Sequence, residues 1–143
     1  MNLLEEKKIV YTAMSKHYFY ARMFVSSFTL TEGYVPLNPF NVFGYFLSDL
    51  VDRDLVRQGN NNIVRISDEV WIFGPIADGV LAEIEYAIAL NKPIKFFTVG
   101  KSIAKIKPLT VDNLEFEEDS LTKDTSENIK NKIATYMESY SNV

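Results

Sequence analysis

The sequence predicts one α/β domain, a parallel β-sheet sandwiched between helices on both faces, spanning residues 1–143. Three observations carry that expectation. The chain is 143 residues long, which is enough to bury a single core but not two. Short β-branched and aromatic runs alternate with helix-periodic segments of roughly ten to thirty residues, the pattern of right-handed β-α-β crossovers. The composition is globular, with 47% hydrophobic and 24% charged residues and a net charge of -4, and both signs are interspersed.

Lys8-Ile9-Val10-Tyr11-Thr12-Ala13-Met14 reads as a buried first strand, with charge before it and Ser15 after it. Tyr20, Phe24 and Phe28 then recur at helical spacing up to a stop at Glu32-Gly33. Two prolines keep residues 34–40 extended and end them in a loop. A second helix is expected through Phe43, Phe46, Leu47, Leu50, Val51 and Leu55, broken or capped by the polar run Gln58-Gly59-Asn60-Asn61-Asn62. Ile63 to Ile66 resume it. Glu69-Val70-Trp71-Ile72-Phe73 is the clearest strand, closed by Gly74-Pro75, and Asp78-Gly79 opens a helix with Val80, Ile84, Ala87 and Ile88 on one face, Asp78 serving as a plain N-cap. Residues 94–100 give a further strand, residues 113–117 an edge strand, and residues 126–140 a terminal helix with Ile129, Ile133, Tyr136 and Met137 turned inward.

Composition also excludes function classes. Without cysteine and with a single histidine, the chain has no thiol nucleophile, no thiolate zinc site, no histidine-rich metal centre and no disulfide framework. No metal or cofactor is implied. The charge balance offers no basic field for polymeric DNA or RNA. No apolar run suits a signal peptide or a membrane span, so a cytoplasmic location and no membrane partner are expected. Ten of the nineteen aromatic residues lie between Tyr18 and Phe46, and residues 18–50 hold only Arg22, Glu32 and Asp49 as charges. This segment is either core, a flat pocket for a ring-shaped ligand, or a subunit interface.

Parallel sheets of this kind, as in Rossmann/flavodoxin-like sandwiches, bind ligands at the carboxyl ends of their strands. Neither G-x-G-x-x-G nor G-x-x-x-x-G-K-[ST] follows the first strand, which argues against dinucleotide dehydrogenases and P-loop enzymes. The informative stretch is Phe73-Gly74-Pro75-Ile76-Ala77-Asp78-Gly79-Val80-Leu81-Ala82-Glu83. There a strand ends, an Asp-Gly pair opens a helix, and a Glu sits on its second turn facing the sheet edge. An acidic residue favoured by the helix dipole is the plain alternative. Ser15-Lys16-His17, at the end of the first strand, offers N–H groups, a hydroxyl and cations to a phosphate, with Arg22, Arg53, Arg57 and Arg65 as further donors.

Tyr11, the run from Asp78-Gly79 through Glu83 to Ala87, and Asn91-Lys92-Pro93-Ile94 resemble the nucleoside 2-deoxyribosyltransferase family and its nucleotide N-glycosidase relatives. The resemblance implies attack of the Glu83 carboxylate on C1′ of a nucleoside sugar, giving a glycosyl-enzyme ester resolved by water or a second base. It implies Tyr11 as the residue orienting Glu83, Asp78 as the acid for the leaving base if burial raises its pKa, and a homodimer or larger homo-oligomer whose neighbour closes the pocket. Phe40 and Phe43, beside Asn38 and Asn41, are the candidates for stacking and reading the base. Ser15, His17, Gly74, Gly79 and Asn60 complete the substrate-binding set. The family's transferases carry a second Asp before the Asp-Gly pair and another in the preceding helix, where this chain has Ala77 and the vicinity of Gly59-Asn60. Two readings therefore stand: an N-glycosyl-bond enzyme acting on a small nucleoside or nucleotide, and a non-catalytic binder sequestering such a molecule in the same cleft. An assembly module with a wholly interfacial aromatic segment is a third.

Overall fold

β1 (Ile9–Met14) is buried along nearly its whole length, as its continuous apolar run requires. It pairs in parallel with β2 (Val35–Leu37) on one side and β3 (Glu69–Phe73) on the other, and β4 (Ile94–Phe97) lies beyond β3. The order β2-β1-β3-β4 is all-parallel and flanked by helices, the Rossmann/flavodoxin-like sandwich expected. These statements rest on a computed structural model that describes residues 1–117 and 123–141.

Alternation along each strand divides the core. Tyr11, Ala13, Val70 and Ile72 point to one face, where α3 (Arg53–Ile66), α4 (Asp78–Ala89) and α5 (Lys123–Ser141) contribute Val64, Ile84 and Ile133. Val10, Met14, Trp71 and Phe73 point to the other, covered by α1 (Arg22–Thr31) through Val25 and Phe28. The Phe28 ring meets Phe97, Phe73 and Trp71 at centroid distances of 5.1, 6.1 and 6.3 Å. Thus the first part of the aromatic excess is core.

Both sides of β4 are accounted for. Beyond β3, its outer edge meets the Tyr140 hydroxyl, which accepts from the Ile94 N–H at 3.0 Å and donates to the Ile94 carbonyl at 2.8 Å. Residues 107–109 cover the other end, with Leu109 N–H donating to Phe96 O and Thr98 N–H to Lys107 O, each at 2.9 Å. A covered edge offers no free ladder to another chain.

Several elements differ from the sequence reading. The helix expected from Phe43 to Leu55 is interrupted: α2 (Pro39–Phe43) ends at Gly44, whose φ of +80° leaves the helical region. A 3₁₀ turn at Leu47–Asp49 follows, and α3 starts afresh with Asp52 accepting from the Asp54 N–H. Nor does the polar run at 58–62 break α3. Asn62 donates back to the Gln58 carbonyl at 2.9 Å and Arg65 bonds Asn62, while Val64 anchors the helix in the core, so packing overrides weak propensity. Residues 113–117 form no edge strand: Val111–Asn113 is a 3₁₀ turn and Phe116 makes a lone parallel bridge to Ile76. Ala77, not Asp78, is the N-cap of α4. Among the described residues no helix is long and apolar enough to cross a membrane.

At the opposite end from the strands' carboxyl termini, Glu69 is buried and accepts from the Trp71 indole N–H at 3.0 Å. Lys8 and Lys95 approach it at 3.8 Å, but both are largely exposed, and such pairs contribute little. The indole bond is therefore the part of this cluster that matters for stability. Replacing Glu69 by Leu leaves a buried donor unpaired and should cost about 1–3 kcal/mol in urea denaturation, whereas Glu69→Gln, which keeps an acceptor, should cost under about 1 kcal/mol.

Candidate active site

The chain leaves β1 for β2 on one side and later returns to β3 on the other. Strand order thus reverses between β1 and β3, and the carboxyl ends of these strands flank a crevice. A cleft of about 320 Å³ opens there, lined by Met14 and Lys16 after β1, by Phe40, Phe43, Tyr45 and Phe46, by Asp49, and by Asn60 and Glu83 from the helices. Its size suits one ring-bearing small molecule.

Glu83 is placed by its helix. Val80, Ile84 and Ala87 are buried against the sheet, so the flanking Glu83 side chain comes to the crevice rather than to solvent, while Glu85 is exposed. Tyr11 is fully buried in β1 and points to the same face, so its hydroxyl stands beside the Glu83 carboxyl. Tyr11 Oη, Glu83 Oε2 and Asn60 Oδ1 are each sealed from solvent without a hydrogen-bond partner of good geometry in the protein. Burial raises the Glu83 pKa from its ordinary 4.5 to about 8, and the Tyr11 hydroxyl, which favours the ionised form, offsets only part of that rise. Tyr11 is itself pushed well above 10.0, first by burial and then by the adjacent Glu83 charge. Burial thus favours the neutral form of this carboxyl.

The aromatic wall is built edge to face. Phe19 meets Phe40 at 5.4 Å and Tyr45 at 4.8 Å, and Tyr45 meets Phe46 at 4.8 Å. Phe43 is seated on α3 at Gly59, where an added Cβ would come within 2.8 Å of the ring tip. This close approach accounts for a mid-helix glycine that costs about 1 kcal/mol relative to alanine.

Of the residues singled out from sequence, Glu83, Phe40, Phe43 and Asn60 line the cleft and Tyr11 adjoins Glu83. Others stand elsewhere. Asn38 is buried and committed: its Oδ1 caps α2 by accepting from Phe40 N–H at 2.9 Å, and its amide nitrogen meets Met14 Sδ at 3.4 Å, which leaves no free amide edge for a base. Asp78 and Gly79 are exposed at the start of α4, so the burial on which an acid role for Asp78 depends is absent. Gly74 lines a second cleft of about 210 Å³ with Tyr18 and Val99. Ser15 and His17 face the Glu117 carboxylate, at 2.9 and 2.7 Å. Arg22 donates to Phe19 O, Arg57 pairs with Asp54 and Arg65 bonds Asn62.

Lys16, named with Ser15 and His17 as a candidate anion site, also lines the cleft, as do Tyr45 and Phe46 of the aromatic segment, whereas Asp49 is a cleft residue that the sequence reading missed. Asp49 carried a usable signal, being one of three charges in an otherwise uncharged 33-residue stretch, residues 18–50. Among the described residues, no group of three or more His, Asp or Glu is arranged to hold a metal ion.

Fold and cleft together define a parallel-sheet α/β domain whose ligand cleft is built around a buried carboxyl. The chain belongs to the family described as Domain of unknown function (DUF7768), which matches residues 11–97, a span running from Tyr11 in β1 to the end of β4 and including Glu83. No match was found among curated proteins.

The Glu83 environment makes stability depend on pH. Because its folded pKa is raised, the folded state binds the proton more tightly than the unfolded chain does. Its contribution is fully present below about 4.5 and is lost progressively as pH rises to about 8. Glu83→Gln should abolish this loss, raising the Tm relative to wild type by several degrees at pH 8.5 and much less at pH 5, as followed by thermal unfolding across that range.

Proposed function

We propose that the protein acts on the N-glycosyl bond of a nucleoside or nucleotide, as a hydrolase or deoxyribosyltransferase, with Glu83 as nucleophile. The observation that carries this reading is a buried, unpartnered carboxyl beside a tyrosine hydroxyl, set in an aromatic-walled cleft at the switch point of a parallel sheet. The resemblance to nucleoside 2-deoxyribosyltransferases supports it in order and spacing, through Tyr11, the Asp78-Gly79 pair and Glu83.

In the reaction, a Glu83 oxygen forms a bond to C1′ as the C1′–N bond breaks and the electron pair leaves with the base. The oxocarbenium-like transition state is stabilised by the carboxylate that captures it. Water or a second base then attacks C1′ and releases Glu83. Tyr11 donates to the carboxylate and holds its orientation. The aromatic wall of Phe40, Phe43 and Tyr45 stacks the leaving base. Asp49, the other carboxyl lining the cleft, is exposed like Asp78, so the leaving base takes its proton from water at the open rim. A second copy of the chain closing the open rim belongs to this reading, since Phe46, Leu50 and Leu55 there are 69, 83 and 58% exposed. So does a cytoplasmic location, because the substrates are soluble small molecules.

One observation favours the binder reading. The acid pair of the transferases is not assembled, since Asp78 faces solvent and Ala77 precedes it.

Release of free base from a panel of nucleosides and 5′-nucleotides separates the two. Wild type should release base and Glu83→Gln should lose at least about a thousandfold in kcat/KM. A Tm raised by these ligands without any base release would instead establish the binder. Because the nucleophile must be ionised, kcat/KM should rise about tenfold per pH unit up to about 8 and level off above it. A profile falling through that range would assign Glu83 the role of acid and remove it as nucleophile.

A further inference from the structure

We infer that Gly59 makes this site selective for purines: by letting the Phe43 ring seat on α3, it holds open a slot between Phe43 and the Phe40–Tyr45 pair in which a planar two-ring base stacks on both faces. This rests on the N-glycosyl reading and names the class of base.

Four aromatic rings line the cleft, those of Phe40, Phe43, Tyr45 and Phe46. Three of them lean on one another. Phe40 and Tyr45 both pack on Phe19, their own centroids lie 6.3 Å apart with planes at 33°, and Tyr45 meets Phe46. A ring inserted between two others needs about 7 Å, twice an ordinary contact separation of about 3.5 Å. No base therefore enters between Phe40 and Tyr45. Phe43 differs, because among the described residues its ring packs against no other ring. The gap in the wall thus lies between Phe43 and the Phe40–Tyr45 pair, and it opens into the same cleft as Glu83.

Phe43 stands back from that gap because of what α3 lacks. A Cβ added at Gly59 would stand 2.8 Å from Cζ of the ring, with the two Cε atoms at 3.3 and 3.5 Å. Any other residue there would drive the ring off its seat. Phe43 is the last residue of α2, which ends at Gly44 with a φ of +80°, so the ring yields by turning about its side-chain torsions. Val56 and Asn60, on either side of Gly59 along α3, both line the cleft. A displaced ring therefore has the gap beside it to move into. Glycine is a poorer helix residue than alanine, and at this position it keeps the slot open. Any base has a face to stack, but a purine presents two fused rings, and a slot with an aromatic on each side counts that larger face twice.

Calorimetric titration with purine and pyrimidine nucleosides, ribo and 2′-deoxy, tests this on the full chain carrying Glu83→Gln, in which nothing turns over. This parent should bind purine nucleosides at least about tenfold more tightly than pyrimidine nucleosides. Adding Gly59→Ala should weaken purine binding at least about tenfold and close most of that gap without lowering the Tm, since alanine suits a helix better. Gln58→Ala, at the exposed neighbouring position of α3, should change neither affinity. Phe43→Ala removes one face of the slot and should weaken purine binding at least about fivefold. Pyrimidine nucleosides bound as tightly as purine ones, or purine affinity unchanged in folded Gly59→Ala or in Phe43→Ala, would overturn the inference. If Gly59→Ala does not fold, the parent's ratio and Phe43→Ala decide it. Purine selectivity without base release by the wild type overturns only the catalytic reading, and no binding by any nucleoside overturns both.

Discussion

The pairing of β1 with β3 is the constraint on which the rest of this molecule depends. Five residues of each strand are in parallel register, from Val10 opposite Glu69 to Met14 opposite Phe73, and both strands are buried on both faces. Parallel strands bury every peptide group between two layers, so their backbone bonds must be complete and their side chains must suit two different cores at once. Tyr11 and Ile72 answer to the α3–α4–α5 layer, Val10 and Trp71 to α1. Because β1 is followed by β2 on its far side, the same pairing opens a crevice where the strand order reverses.

What occupies that crevice runs against stability. A carboxyl, a phenol and an amide oxygen are buried there without good partners in the protein, each a cost of about 1–3 kcal/mol. The apolar face of α4 and the edge-to-face packing of Phe19, Phe40 and Tyr45 offset that cost. Gly59 shows the same compromise in miniature. A residue unfavourable in a helix is placed where a larger one would push Phe43 out of the wall. Three of the five buried side-chain atoms without a partner among the described residues gather in this cleft, Thr12 Oγ1 and Glu117 Oε2 being the others, and such a concentration is the physical signature of a site rather than of a core.

The chain beyond β4 covers the outer edge of the sheet and also reaches the loop after β3. Residues 115–117 lie on the β3–α4 loop and deliver Glu117 to Ser15 and His17, while Tyr140 closes the edge of β4. Carboxyls stand at both ends of the central strands. Glu69 is surrounded by donors and cations at the amino end. At the carboxyl end, Glu83 and Asp49 line the cleft with Lys16, and Glu117 is held by Ser15 and His17.

Much of this was legible in the amino-acid sequence, and the reason is local. β1, β3, α1, α4 and α5 announce themselves because burial on two faces demands unbroken apolar runs, and burial of one helix face demands a 3.6-residue period. Glu83, Phe40 and Phe43 could be picked out because strand ends and a helix's second turn have fixed places in a parallel sheet, whereas Tyr11 and Asn60 were named only through the family resemblance. Other features were decided only by tertiary contact. The Asn-rich run stays helical because Val64 is anchored in the core and Gly59 receives Phe43; Asn38 is withdrawn from recognition by its bonds to Phe40 and Met14; Asp78 is left in solvent because Ala77 caps the helix instead. Glu117 reaches Ser15 across a sequence separation of 102 residues, a contact no local pattern encodes. The sequence by itself determined which segments had to be buried and hence the layered parallel sheet, since periodicity is written residue by residue. Which polar groups would meet in the crevice, and which would be spent on one another first, only the folded chain could decide, because hydrogen bonds and desolvation depend on distances between segments that the sequence holds far apart.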